Sequence, residues 1–120
     1  MFNDRSATSA LLATRRSGKP RDMIAPGPDA DQLRAILSLA IRVPDHGKLS
    51  PWRFVVVRQD RRDALAAMLT DAYRAGKPDA GRIEIEAVEA FARQAPTLIV
   101  ALSTPVAASK IPVWEQELSA

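Results

Sequence analysis

Two stretches of this chain are continuous apolar runs rich in β-branched residues: Phe54-Val55-Val56-Val57 and Leu98-Ile99-Val100-Ala101-Leu102. Runs of that length and composition read as strands buried on both faces. The sequence around them has helical spacing or loop chemistry. Two strands make a poor sheet by themselves, so this pair constrains the fold more than any other feature. It predicts an α+β domain in which residues 53–58 and 97–103 lie in one sheet, with helices packed against it.

The helical segments differ in how clearly they are signalled. Residues 9–16 are rich in Ala and Leu and end in Arg15-Arg16, which suits the negative end of a helix dipole. Ser17-Gly18-Lys19-Pro20 stops that helix. A second helix is expected over 29–42. Asp29 caps it, and Gln32 completes a capping box three residues later. Leu33, Ile36, Leu37, Ala40 and Ile41 then form one apolar face. Pro44 disfavours helix at Val43, which places the end near Arg42.

A third helix begins at Asp60, with Leu65, Met68, Leu69, Ala72 and Tyr73 inward. Gly76 and Pro78 close it. A fourth covers about 80–94, with Ile85, Val88, Phe91 and Ala92 inward, and Pro96 ends it. Residues 113–120 read as a helix just starting. A chain of 120 residues suits one domain. An α+β domain of four helices and two strands is possible, but the short last helix and the lone pair of strands fit an interrupted larger domain better.

Composition removes several functions. The chain has no cysteine, which excludes disulfides, thiolate metal sites and cysteine nucleophiles, and fits a cytoplasmic location. One histidine, His46, excludes a multi-histidine metal centre within one chain. No run approaches the ~18 apolar residues of a membrane span. The first five residues carry an acid and no apolar core, so no secretory signal is expected. Phosphate-binding glycine motifs and the G-x-S-x-G elbow are absent from the sequence. Glu115 and Glu117 point to different faces of a helix, which argues against a carboxylate dyad.

Two constellations could bind something. Arg15-Arg16-Ser17 offers two guanidiniums and a hydroxyl, with Lys19 and Arg21 behind them, a set able to hold phosphate. A solvated helix end would look the same. Arg42-x-Pro44-Asp45-His46, running on to Ser50-Pro51-Trp52, puts a cation, an imidazole and an indole on a proline-stiffened loop. Binding residues concentrate on such loops. Equally, Arg42 could complement a helix end, His46 could bond a turn, and Trp52 could be core.

Taken in order, Arg15-Arg16-Ser17, Arg42-Val43-Pro44-Asp45-His46, Pro51-Trp52, Ala95-Pro96 before Thr97-Leu98-Ile99-Val100, and Val113-Trp114-Glu115-Gln116-Glu117-Leu118-Ser119-Ala120 resemble the nitroreductase superfamily. The resemblance runs from about residue 9 to the end. It implies an FMN-binding α+β sandwich, incomplete here with residues 1–120 the N-terminal portion of that single domain, working as an intertwined homodimer with flavin at the interface. It implies ping-pong hydride transfer from NAD(P)H through FMN to a nitroaromatic, quinone or similar acceptor. By analogy Arg15, Arg16 and Ser17 hold the ribityl phosphate end, while Arg42 and His46 approach a flavin from the loop. No side chain is assigned as an acid–base catalyst, and no metal is expected. Family members often carry Gln where this chain has Ser50, which weakens a flavin contact there.

Two other readings fit the sequence. One is a remnant that keeps part of the fold and binds no flavin. The other is a basic nucleic-acid-binding module, favoured by the net charge of +3. Against the module, aromatics are only 5%, no nucleic-acid motif is present, and Asp60 and Asp63 intersperse Arg58, Arg61 and Arg62. Neither nucleic acid nor membrane is therefore an expected partner.

Overall fold

A computed structural model describes residues 2–120. In chain order the elements are α1 (Thr8–Thr14), α2 (Ala30–Ala40), β1 (Trp52–Val57), α3 (Arg62–Gly76), α4 (Arg82–Arg93), β2 (Leu98–Ser103) and α5 (Val113–Ser119). Short 3-10 turns lie at Pro20–Asp22, His46–Lys48 and Gln59–Arg61.

β1 and β2 pair antiparallel, with Val55 opposite Val100 and Phe54 opposite Ala101. The expected single sheet is therefore present. The expected burial on both faces is not. Val55 is 46% exposed, and the second half of β2, from Ala101 to Ser103, faces solvent. Apolar runs promise two covered faces, but among the described residues there is no third strand or second layer to cover them.

The α3–α4 hairpin returns the chain between the strands. Its buried apolar residues are Ala66, Ile85 and Ala92. The inward face of α3 is rotated from the sequence expectation: Arg62, Ala66 and Thr70 are buried, while Met68 is 60% exposed. On α4, Ile85 and Ala92 point inward as expected, but Phe91 is 55% exposed. Arg93 Nε donates to Asp63 Oδ1 across the hairpin at 2.9 Å. Tyr73 OH and Lys77 Nζ both donate to Glu84 Oε1 at its far end. Hydrogen bonds from Lys77, then the Gly81 amide and Tyr73, pull the Glu84 carboxyl down to about 2.

α2 forms with the capping box foreseen. Asp29 Oδ1 accepts from Asp31 N and Gln32 N, and Gln32 Oε1 accepts from Asp29 N. It ends at Ala40, two residues before Arg42. Of its apolar stripe only Leu33 and Leu37 are half-buried, and Ile36, Ala40 and Ile41 are exposed.

The molecule is loosely gathered. Its radius of gyration is 17.8 Å, against about 14 Å for a compact chain of this length. It exposes 9452 Å², where a compact monomer of its size exposes about 6,400 Å². Much of the excess is apolar: Leu39, Ile83, Trp114 and Leu118 are each more than half exposed. Among the described residues no helix is long and apolar enough to cross a membrane.

Candidate functional site

The basic cluster takes its shape from the segment before α1. Asn3 N donates to Thr14 O, Asp4 N donates to Thr14 Oγ1, and Arg16 N donates to Asn3 Oδ1. These bonds occupy the end of the helix. Arg15 leaves helical geometry at φ −58, ψ 141. The helix thus stops at Thr14, and Arg15 and Arg16 do not form its last turn as the sequence had indicated. They follow it as extended chain. Arg15, Arg16 and Ser17 are all exposed. The Arg16 guanidinium carbon lies 5.5 Å from the centroid of the Phe2 ring, within cation–π range. Among the described residues neither Arg15 nor Arg16 has a carboxylate within ion-pair distance.

The second constellation lies between α2 and β1. Arg42 follows the last turn of α2, its amide donating to Leu39 O, and its side chain is exposed. Asp45 then organises the loop. Its two carboxylate oxygens accept from Leu49 N at 3.2 Å and Ser50 N at 2.8 Å. Within that clasp Gly47, Lys48 and Ser50 have φ of 78°, 53° and 47°. Left-handed non-glycine residues store strain, which surrounding structure must hold and which clusters at ligand sites. Pro51 is fully buried, and its carbonyl accepts from Thr104 N at 2.8 Å, continuing the β1–β2 ladder. Trp52 is half-buried as the first residue of β1.

His46 is exposed, and its Nδ1 lies 2.6 Å from Glu115 Oε1 on α5. In the sequence Glu115 stands out only beside Glu117, and its neighbour Gln116 only as part of the motif over 113–120. Gln116 is 2% exposed, its Oε1 accepts from Val106 N, and its Nε2 donates to Val106 O and Ile111 O. No local pattern could reveal either contact, since 69 residues separate His46 from Glu115.

The structure brings Arg42 and His46 onto one short connection and adds Glu115 to it. It keeps Arg15, Arg16 and Ser17 on a separate element. Among the described residues no hydrogen bond or ion pair joins the two groups. The basic stretch also divides: Arg21 lines a groove of about 700 Å³ with Met23, Gln59, Arg93 and Pro96. An apolar groove of about 680 Å³ runs between α3 and α4, lined by Leu69, Tyr73, Val88 and Phe91. Among the described residues no group of three His, Asp or Glu side chains is placed to hold a metal.

The α+β scaffold thus carries an exposed arginine pair with a hydroxyl on one segment, and on another a strained loop with a cation and an imidazole held by a carboxylate. Residues 12–117 match the sequence profile of the Nitroreductase family. A Haemophilus influenzae protein named "Putative NAD(P)H nitroreductase" is 41% identical over 112 residues. Escherichia coli K12 "Putative NAD(P)H nitroreductase YdjA" is 34% identical over 110 residues. Each alignment covers 92% of this chain and 58% of the relative. The chain belongs to the nitroreductase family, and it spans under three-fifths of the length of these relatives.

Proposed function

We propose that this chain supplies part of the flavin site of an FMN-dependent NAD(P)H oxidoreductase that acts on a nitroaromatic, quinone or similar acceptor. The observation that carries the reading is the family match over 12–117, which includes every candidate binding residue. The relatives' names supply the nicotinamide reductant. A reductant drawn from the NAD(P)H pool fits a cytoplasmic location.

The residues suit the group. Arg15 and Arg16 present two guanidiniums with no carboxylate partner among the described residues, and Ser17 adds a hydroxyl on the same extended run. Such a donor set matches a phosphate monoester, which accepts several charge-assisted hydrogen bonds. Arg42 would place positive charge beside an electron-rich ring, and His46 would offer it a ring nitrogen. FMN, when bound, supplies the two-electron chemistry linking NAD(P)H to the acceptor. The protein's part is to hold the phosphate, to orient the ring and to stabilise negative charge on it.

We propose further that the functional unit is a homodimer with flavin at the interface. The support here is surface area. The excess over a compact monomer is about 3,000 Å², larger than a standard stable interface buries in total.

The deciding experiment replaces Arg15 and Arg16 together with Ala and titrates FMN, following quenching of flavin fluorescence. Each charge-assisted bond contributes about 1.5–3 kcal/mol, so affinity should fall at least tenfold per arginine, roughly. Unchanged affinity removes the phosphate role.

A further inference from the structure

We infer that Glu115 is a positioning residue: it fixes the tautomer of His46 so that Nε2 is the acceptor atom the imidazole presents at the candidate flavin site. The inference rests on the reading above, in which His46 faces a flavin. It adds a residue on a different element, and a defined proton position, to that site.

The proton follows from donor and acceptor chemistry. An ionised carboxylate can only accept. Nδ1 of His46 lies 2.6 Å from Glu115 Oε1, so Nδ1 carries the hydrogen. In a neutral ring Nε2 is then the bare acceptor. A free imidazole side chain favours the opposite tautomer, so the contact selects a form that solvent would not. The burial agrees with this division of labour. Glu115 is the more covered partner, its side chain 32% exposed, while that of His46 is 65% exposed. The carboxylate is thus the held end and the imidazole the presented end.

The support behind Glu115 is built rather than incidental. Its neighbour Gln116 spends its whole amide on the backbone of Val106 and Ile111. Ile111 in turn packs on the turn that carries His46: a Cβ placed on Gly47 would lie 3.2 Å from Ile111 Cγ1. The first turn of α5, residues 106–111 and the turn at His46–Lys48 therefore brace one another. Asp45, the other carboxylate on that loop, is turned inward onto Leu49 N and Ser50 N and does not compete for the ring. Arg42, Lys48 and Glu117 are the remaining charged side chains on the loop and on α5. A plain latch would need only some contact between loop and helix. Here an acceptor-only group meets one particular ring nitrogen.

Because His46 is the single histidine, nitrogen NMR of histidine-labelled chain reads its tautomer without assignment. At alkaline pH the chain should show a protonated Nδ1 and a bare, pyridine-type Nε2. Glu115→Gln should keep that pattern, since its amide oxygen also accepts. Glu115→Ala should revert towards protonated Nε2, and Glu117→Ala should change nothing. Added FMN should move the Nε2 signal, and Glu115→Ala should weaken FMN binding about fivefold to tenfold, the scale of one hydrogen bond, with Glu115→Gln restoring it.

A wild-type chain with protonated Nε2, or a tautomer indifferent to Glu115→Ala in a protein that still melts cooperatively, overturns the inference. If Glu115→Ala fails to fold, Glu115→Gln and the wild-type spectrum still decide. An Nε2 signal unmoved by bound FMN overturns the positioning role and His46's place at the flavin together. A chain that takes up no FMN at all sinks the proposed function, while the flavin-free spectra still judge the tautomer.

Discussion

The guanidinium of Arg62, the first residue of α3, donates from Nη1 to the carbonyl of Ala92 at 2.8 Å, near the end of α4. The same group donates to Val57 O at 3.1 Å and to Gln94 O and Ala95 O at 3.4 Å each. It is 2% exposed and has no carboxylate partner among the described residues. A buried cation is tolerated there because the carbonyl end of α4 carries partial negative charge and the planar fork reaches several acceptors at once. One side chain thus ties the end of β1, the start of α3 and the end of α4 together.

Arg62→Ala should therefore destabilise the chain by about 3 kcal/mol or more, because it leaves several shielded carbonyls unpaired. Arg62→Lys should recover only part of the loss, since an ammonium cannot span the same acceptors. Denaturant melts check both. Equal stability of all three proteins would refute the role.

Gln116→Ala removes three bonds that hold residues 106–111, and should cost about 2 kcal/mol. Gln116→Glu should cost more, because a carboxylate would face the Val106 and Ile111 carbonyls in place of a donor. A thermal melt that ranks Glu above Ala in stability would contradict this geometry.

Hydrogen bonds from Lys77, the Gly81 amide and Tyr73 to its charged form hold the Glu84 carboxyl at about 2, below the usual carboxylate range. A carboxyl depressed by folding stabilises the fold above its unfolded value. That contribution is lost as pH falls through the folded value. Wild type should thus be more stable than Glu84→Gln at neutral pH, with the difference shrinking between about pH 4.5 and 2. Paired melts across that window test it. Lys77 and Tyr73 are both raised, chiefly by hydrogen bonding to Glu84, so their contribution should fade at strongly alkaline pH.

Trp114 and Leu118 project from α5 at i and i+4, 61% and 80% exposed. If a second copy covers this face, sedimentation should show dimer at micromolar concentration. Trp114→Ser with Leu118→Ser should shift it towards monomer while the helical circular dichroism persists. A wild-type chain that sediments as monomer would count against the dimer.

The flavin-site prediction is sharpened by Gly47. Gly47→Ala forces a side chain onto a left-handed residue, costing about 1–2 kcal/mol, and presses on Ile111. It should disturb the His46–Glu115 contact before it unfolds the domain. Nitrogen NMR of His46 reads that directly, and an unchanged tautomer in Gly47→Ala would show that the brace is not needed.

The sequence alone determined the local elements, because their causes are local. The Asp29–Gln32 capping box, the stop before Pro44, the apolar runs of β1 and β2, and the helical spacing of α3 and α4 depend on residues within a few positions of one another. The exposed basic cluster and the loop bearing Arg42 and His46 were legible for the same reason, and their order along the chain carried the family. Tertiary structure decided what those signals could not. The Asn3 and Asp4 segment ended α1 at Thr14, putting Arg15 and Arg16 outside the helix. The turn of α3 that faces the hairpin was set by Arg62 finding carbonyls some thirty residues away. Val55, Phe91 and Met68 stayed exposed because burial requires a partner surface, which an apolar pattern calls for but cannot provide. The pairing of His46 with Glu115 also belongs to the tertiary structure alone, since it arises only when α5 docks beside a loop 69 residues earlier.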